Sequence, residues 1–373
     1  MIRLSSIIIF CCVIGMPLTL YILGQRGEVM ENRAPRVVAP VTWEGIENAS
    51  WFASVNNYLI DHTPLREYAI RAHAWINWHL FPDENDVSVS RGREGWLFYN
   101  GGLDVKCEDK ASIARRFYRL AEIAKEQRAK HGVDIRWIIA PNKEAVYPEY
   151  LTPLQMERAT CAMANRNAMR DVLRDPALQP YILGLWDVLE QGKVEQQVYF
   201  RTDSHWNHVG VVMAMGSVFG WIWSYVDITA DIKPGKETQW QGDLGKMLGL
   251  DTIRETETAW ETSRPSVTGG RSNMAVCAEA DNASRRSFRY HSKDMPIAKG
   301  KTVILRDSFF TLPMQLVAPF FSQVDISHLD HTPSANWPLI AACADTLVIE
   351  SVERHMLGRS DIFIKTFSGR PAG

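Results

Sequence analysis

The 373-residue sequence predicts an α/β protein, helices sandwiching a mainly parallel sheet, behind an uncharged apolar segment at the N-terminus. Three observations carry this. Short apolar runs of buried-strand length alternate with segments of helical periodicity along most of the chain, the pattern of parallel crossover units. Hydrophobic residues make up 46% of the sequence and charged residues 23%, which supports a sizeable core and excludes disorder as the main state. Residues 4–25 carry no charge, and as a helix they would cover roughly 33 Å, enough for a hydrocarbon core of about 30 Å.

Residues 1–25 are therefore expected to form a membrane anchor. The run ends in Tyr21-Ile22-Leu23-Gly24-Gln25, without the small-residue pattern of a cleavage site, and Phe10 before Cys11 disfavours lipoprotein processing. Arg3 precedes the run and Arg26, Arg33 and Arg36 follow it, a count that by itself would place the body in the cytoplasm. Large domains can translocate despite such charges. Residues 26–45, with Pro35 and Pro40, read as a tether, and the body is expected over residues 46–373.

Within the body, residues 46–81 have helical spacing broken at Pro64. A second helical pattern over 112–131 feeds the apolar run Ile135-Arg136-Trp137-Ile138-Ile139-Ala140-Pro141, a strand. The alternation repeats with a helical stretch near 154–175, an apolar segment over 181–189, a helix over 209–225, and strands at 302–305, 324–328 and 346–350. Residues 255–293, polar and poor in apolar residues, read as an insertion or long loop. Open parallel sheets bind ligands beyond the carboxyl ends of their strands, so residues just after the strands are the candidates for chemistry.

Charge narrows the partners. Lys and Arg number 41 against 43 Asp and Glu, a net charge of −2, so the molecule has no overall electrostatic footprint for nucleic acid and none is expected as a partner. Six cysteines are too few for a disulfide scaffold.

Two segments combine the right residue types with the right positions. Thr202-Asp203-Ser204-His205-Trp206-Asn207 immediately precedes an apolar helix, and Leu305-Arg306-Asp307-Ser308-Phe309-Phe310 immediately follows a strand. A serine hydroxyl at such a turn is a candidate nucleophile, near backbone N–H groups that can stabilise an oxyanion. It needs a base, and the base needs an acceptor on its other ring nitrogen; His205 and Asp203 supply both from one loop. Two plainer readings compete. Asp307 or Ser308 can simply cap the following turn. Asp203, His205 and His208 form an Asp-x-His-x-x-His string that can hold a metal, although a fourth ligand is missing. Three further residues stand at strand ends: Asn142 as an oxyanion donor, Lys143 as a holder of an acidic polymer or a solvated loop lysine, and Arg306 as a bidentate carboxylate partner or a structural ion-pair residue. Gly92-Arg93-Glu94-Gly95-Trp96-Leu97-Phe98 reads as a hairpin whose aromatic residues are core.

Together these segments resemble the SGNH-hydrolase-like domain of the alginate O-acetyltransferases, exported proteins that acetylate bacterial exopolysaccharide. The resemblance rests on residues 92–98, Ala140-Pro141-Asn142-Lys143 with Val146-Tyr147-Pro148, residues 202–207, Gln241-Gly242-Asp243-Leu244 and Arg306-Asp307-Ser308-Phe309, in that order. It implies an SGNH-hydrolase-like three-layer sandwich in which Asp203 orients, His205 is the general base and Ser308 carries an acetyl group. It further implies a single-pass protein of the bacterial inner membrane with its catalytic domain in the periplasm, acting on alginate or a similar exopolysaccharide. No metal or organic cofactor is implied. The acetyl donor would come from a multispanning membrane O-acyltransferase within a polymer-export assembly. No carbohydrate-binding module is evident after residue 351, which matches the membrane-anchored single-domain branch. An exported compartment makes Cys107, Cys161, Cys277 and Cys343 candidates for two disulfides in three possible connectivities, with Cys107 to Cys161 favoured. The same three catalytic residues would also serve a carbohydrate acetylesterase, and a non-catalytic polysaccharide-binding scaffold is a further alternative.

Overall fold

A computed structural model describes residues 2–27, 35–80, 88–225, 227–250, 252–264, 268–272, 287–292 and 296–368. The chain forms two compact units, one of residues 1–91 with 241–254 and the other of residues 92–240 with 255–373. The second unit thus begins well after residue 46, where the sequence reading placed the start of the body.

Among the described residues of its first segment the first unit has the helices α1 (Ile2–Ile22), α2 (Trp43–Glu47), α3 (Ser50–His62) and α4 (Arg66–Leu80), and its second segment adds the short helix Asp243–Met247. Thr42 caps α2, its hydroxyl accepting from the Gly45 N–H at 3.1 Å. The expected break falls at Pro64, between α3 and α4, where Leu65 adopts a positive φ of 66°. The tether is tied to α3: the Arg36 guanidinium binds the buried Asp61 carboxylate through Nη2 at 2.7 Å and Nε at 3.1 Å, the Ala39 N–H donates to Ser54 Oγ at 3.1 Å and the Gly27 N–H to the His62 carbonyl at 3.1 Å. Helix α1 covers most of the uncharged run and contains Pro17. Among the described residues no helix is long and apolar enough to cross a membrane, so the structure does not establish the transmembrane span that the sequence predicts.

The second unit is built on a seven-stranded sheet. Its strands are β1 (Asp134–Ala140), β2 (Ile182–Gly184), β3 (Thr268–Ser272), β4 (Ser287–His291), β5 (Ala298–Arg306), β6 (Phe321–His328) and β7 (Thr346–Val352), in the spatial order β2-β1-β7-β5-β6-β4-β3. From β2 to β6 every neighbouring pair is parallel, and β4 and β3 continue the sheet antiparallel. The mainly parallel sheet is as expected. Residues 255–293 are not simply an irregular loop, because β3 and β4 lie there, and so does a strand over Glu255–Thr262 that pairs antiparallel with Ile232–Trp240 as a separate ribbon. That ribbon buries little of its surface, so its strands lack the apolar runs by which the central ones are recognised.

Central strands read as continuous apolar runs because both their faces are covered. Ile135, Trp137 and Ile139 of β1, with Val303, Leu305, Leu347 and Ile349, pack beneath α5 (Lys110–His131) and α10 (Glu353–Phe367), which contribute Phe117, Leu120, Met356 and Phe363. On the opposite face Ile138, Ile304 and Val348 meet α7 (Trp186–Glu195), α8 (His208–Trp223) and α9 (Thr311–Val317) through Leu189, Phe219 and Met314. The result is the three-layer sandwich. Trp96 and Phe98 are buried in the second of these cores, as the sequence reading anticipates. The remaining long helix, α6 (Thr160–Val172), is tied to the segment before α5 by a disulfide between Cys107 and Cys161, and by Asn165, which bonds the Lys106 carbonyl and the Glu108 N–H. Cys277 lies outside the described residues.

The disulfide closes a loop of 54 residues, whose loss of denatured-state entropy is worth about 2–4 kcal/mol. Replacing both Cys107 and Cys161 with Ser is expected to lower unfolding free energy by that amount in urea titrations with an unchanged spectrum of the native state. Unaltered stability would show that the bridge constrains nothing.

Candidate active site

The carboxyl ends of β1, β5 and β7 bring the expected residues together. β5 ends at Arg306, and Asp307 caps the short turn Ser308–Phe310 that leads into α9: its Oδ1 accepts the Phe309 N–H at 2.9 Å. The capping role expected for either residue therefore belongs to Asp307. Ser308 is half-buried, and its hydroxyl makes no hydrogen bond among the described residues. The neighbouring Phe309 N–H is committed to Asp307, which removes one of the helix-terminus donors that the sequence suggests for an oxyanion.

Asp307 is more than a cap. Its Oδ2 accepts from the Val352 N–H at 2.7 Å and from Arg359 Nη1 at 2.6 Å, joining the end of β5 to the end of β7 and to α10. Its own N–H donates to Glu350 Oε2 at 3.0 Å. Burial, the largest influence, opposes ionisation of Asp307, but the Arg359 charge and the Val352 and Phe309 N–H groups together hold its carboxyl below the usual range. Burial and the facing Asp307 charge push Glu350 well above it.

The loop that holds the histidine is a tight reversal after α7. Val198 and Asn207 pair through the Asn207 N–H, Tyr199 and Trp206 form a bridge, and the Phe200 N–H reaches the His205 carbonyl. Asn207 caps α8, accepting from the Gly210 N–H at 3.0 Å. A side chain at Gly210 would run into the Val198 carbonyl, so the reversal requires glycine there. Within this loop Asp203 Oδ1 meets both the His205 Nδ1 at 2.7 Å and the His205 backbone N–H at 3.0 Å. The carboxylate is therefore bound to both ring and main chain, which fixes the ring as a base–orienter pair requires. Its other oxygen accepts from Trp240 Nε1 at 3.1 Å.

Aromatic packing joins this loop to the serine turn. The indole of Trp206 donates to the Phe309 carbonyl at 2.9 Å, and the Phe309 ring lies 4.7 Å from the His205 ring and 5.4 Å from Trp206. Residues separated by about a hundred positions are thus clamped together, which sets the Asp203–His205 loop against the turn that carries Ser308.

Of the other candidates, Asn142 stands just beyond the strand end and two cations are bound within the protein. Asn142 is buried two residues beyond β1, its side-chain carbonyl accepting from Arg354 Nη1 at 2.9 Å. Lys143 is 2% exposed and gives its ammonium to the carbonyls of Phe200 at 3.2 Å, Arg201 at 3.0 Å and Asp203 at 2.7 Å. It holds the histidine loop and does not face solvent, because a buried ammonium requires this set of acceptors. Arg306 is likewise buried, bonded to the Asp307 carbonyl and Thr311 Oγ1, a structural residue of the serine turn. His208 turns its Nδ1 to Glu257 Oε1 at 2.9 Å, so it serves the ribbon and α8.

Sequence reasoning missed the braces. Glu255 accepts from the N–H groups of Arg201 and Thr202 and from the Thr202 hydroxyl, Trp240 stacks on Phe200 at 4.7 Å, and Glu257 holds His208, all from the two-stranded ribbon. Glu353 accepts from the Asn142 N–H at 3.1 Å and from the Trp186 indole at 3.0 Å. Burial pushes its carboxyl up to about 7 against these two donors.

A family model described as the SGNH hydrolase-like domain of the acetyltransferase AlgX matches residues 89–277, just over half of the chain. The chain belongs to this family. Asp203 and His205 lie within the matched segment of the SGNH hydrolase-like domain, and Ser308 lies beyond it. A protein described as probable alginate O-acetylase AlgJ from Pseudomonas fluorescens is 24% identical over 218 residues, covering 56% of this chain and 53% of the relative. The corresponding protein of Azotobacter vinelandii is 25% identical over 201 residues, covering 52% and 49%. The chain thus spans about half the length of the curated relatives it matches. Among solved structures, Bacillus cereus PatB1 superposes with a TM-score of 0.52 at 14% identity, covering 72% of this chain and 96% of that one. The fold is shared.

Two outcomes follow for this SGNH hydrolase-like site. Trp240→Phe keeps the stack on Phe200 and removes the donor to Asp203, and is expected to slow labelling of Ser308 by a sulfonyl fluoride about tenfold, read by intact mass. Glu353 ionises in the unfolded chain near 4.5 and in the folded one near 7, so stability is lost as pH rises through that interval. Glu353→Gln keeps an acceptor without the charge. Its thermal midpoint is expected to gain on the wild type between pH 5 and pH 8, by on the order of 1–3 kcal/mol in unfolding free energy; a constant difference would contradict the assignment.

Proposed function

We propose that the protein is a serine-dependent O-acetyltransferase acting on an exported polysaccharide, alginate or a similar exopolysaccharide. The observation that carries the proposal is the Asp203–His205 pair clamped through Trp206 and Phe309 against the Ser308 turn. His205 takes the Ser308 proton through its outer ring nitrogen as Oγ attacks the acetyl carbonyl, and Asp203 holds the Nδ1 proton and stabilises the imidazolium. Collapse of the tetrahedral intermediate expels the donor's leaving group with that proton and leaves an acetyl ester on Ser308. A sugar hydroxyl then gives its proton to His205, attacks the ester and departs acetylated, regenerating the serine. Asn142 donates its amide to the oxyanion in both halves.

Several facts support this reading beside the geometry. Relatives in Pseudomonas and Azotobacter carry the description probable alginate O-acetylase, and a solved PatB1 structure carries a sulfonyl adduct. The chemistry needs neither metal nor organic cofactor. Because residues 4–25 are uncharged, we place the protein as a single-pass protein of the bacterial inner membrane with its body in the periplasm. Acetyl groups made in the cytoplasm then have to cross the bilayer, which calls for a multispanning membrane O-acyltransferase as donor partner within the polymer-export assembly.

Ser308→Ala in cells is expected to abolish polymer acetate, measured by proton NMR of the isolated polysaccharide, while polymer yield stays the same; unchanged acetate sinks the assignment. The purified protein given an activated acetyl ester should yield acetylated oligouronate, whereas free acetate alone, unaffected by added saccharide, would identify an esterase. Asp203→Asn should lower the rate of transfer by orders of magnitude with the fold intact.

A further inference from the structure

We propose that Arg354 is a specificity residue that binds the carboxylate of an acidic sugar unit presenting its hydroxyl to Ser308, an inference that rests on the acetyltransferase reading of the site. The other basic side chains around the serine turn are occupied by the protein itself. Lys143 is bound by three carbonyls, Arg306 by the Asp307 carbonyl and Thr311, and Arg359 by Asp307, Ser351 and Asp330.

Arg354 differs. Through Nη1 it holds the Asn142 side-chain carbonyl at 2.9 Å, while its Nε is buried without an acceptor and its Nη2 makes no hydrogen bond among the described residues. Its guanidinium carbon lies 5.7 Å from the Phe309 ring centre and 5.3 Å from that of Tyr99. The same Phe309 ring lies 4.7 Å from the His205 ring, which puts the guanidinium and the base around one side chain next to Ser308. Half-burial restricts competing water while leaving the guanidinium reachable, unlike the fully buried Lys143, Arg306 and Arg359, and Nη2 is the donor left for a carboxylate. In a uronate ring the carboxylate and the acceptor hydroxyls are a few ångströms apart, so one cation beside the oxyanion donor can select the acidic sugar and orient it.

Because Arg354 also positions Asn142, the test reads binding instead of turnover. Calorimetry on Ser308→Ala protein, which cannot be acylated, compares a short oligouronate with the same oligosaccharide after reduction of its carboxyls to alcohols. The expected result is at least tenfold tighter binding of the oligouronate, a preference that weakens as salt is raised. Adding Arg354→Gln should remove most of that preference and leave the reduced oligosaccharide within about twofold. Arg354→Lys, the variant to read if Gln does not fold, should keep the salt dependence and lose several-fold in oligouronate affinity, since one ammonium cannot hold Asn142 and a carboxylate at once as the planar guanidinium does. Equal losses for both saccharides would make Arg354 only a support for Asn142, and failure of either saccharide to bind, or no preference between them, would equally overturn the proposal. Binding preference with no acetyl transfer by the wild type would instead overturn the acetyltransferase reading alone.

Discussion

The buried carboxylate of Asp307 is the constraint on which the arrangement of the site depends. One oxygen takes the N–H of the serine turn and the other takes the N–H at the end of β7 and the Arg359 guanidinium. A buried carboxylate is tolerated only when its charge and lone pairs are matched, and here the matching groups come from three elements. Separating β5 from β7 or lifting α10 would leave that charge uncompensated, so the position of Ser308 inherits the rigidity of the sheet. The carboxyl of the neighbouring Glu350 is pushed up for the same reason: burial and the facing Asp307 charge both oppose a second negative charge there.

The histidine loop is held by an analogous economy of burial. Its aromatic residues Tyr199, Phe200 and Trp206 are buried, and several of its carbonyls and N–H groups are bound by charged side chains supplied from elsewhere. Lys143 collects three carbonyls on one side, and Glu255 collects two N–H groups and a hydroxyl on the other. These are charge-assisted bonds, stronger than neutral ones, and they explain how an irregular segment can hold a ring in one orientation.

Much of this was readable from the chain alone. The central strands announce themselves because both faces of the sheet are covered, so their sequences are nearly continuous runs of Ile, Val and Leu. Asp203, His205 and Ser308 were readable because their residue types follow strand ends or precede a helix, where chemistry collects. Lys143 was misjudged because lysine is ordinarily exposed, and nothing local reveals that three carbonyls will converge on it. Trp240, Glu255, Glu257, Arg354 and Arg359 left no pattern either: each acts through contacts to residues distant in sequence, and an isolated residue has no periodicity. The ribbon that carries three of them looked like an insertion because its strands face solvent.

The two strands of that ribbon flank residues 241–254, which belong to the unit otherwise formed by residues 1–91. That unit is therefore discontinuous along the chain. During synthesis it lacks a component until residue 254 has emerged, by which time β1, β2 and the histidine loop have already left the ribosome and β5 to β7 have not. The first unit can therefore be completed only after much of the second has been synthesised, and before its sheet is whole.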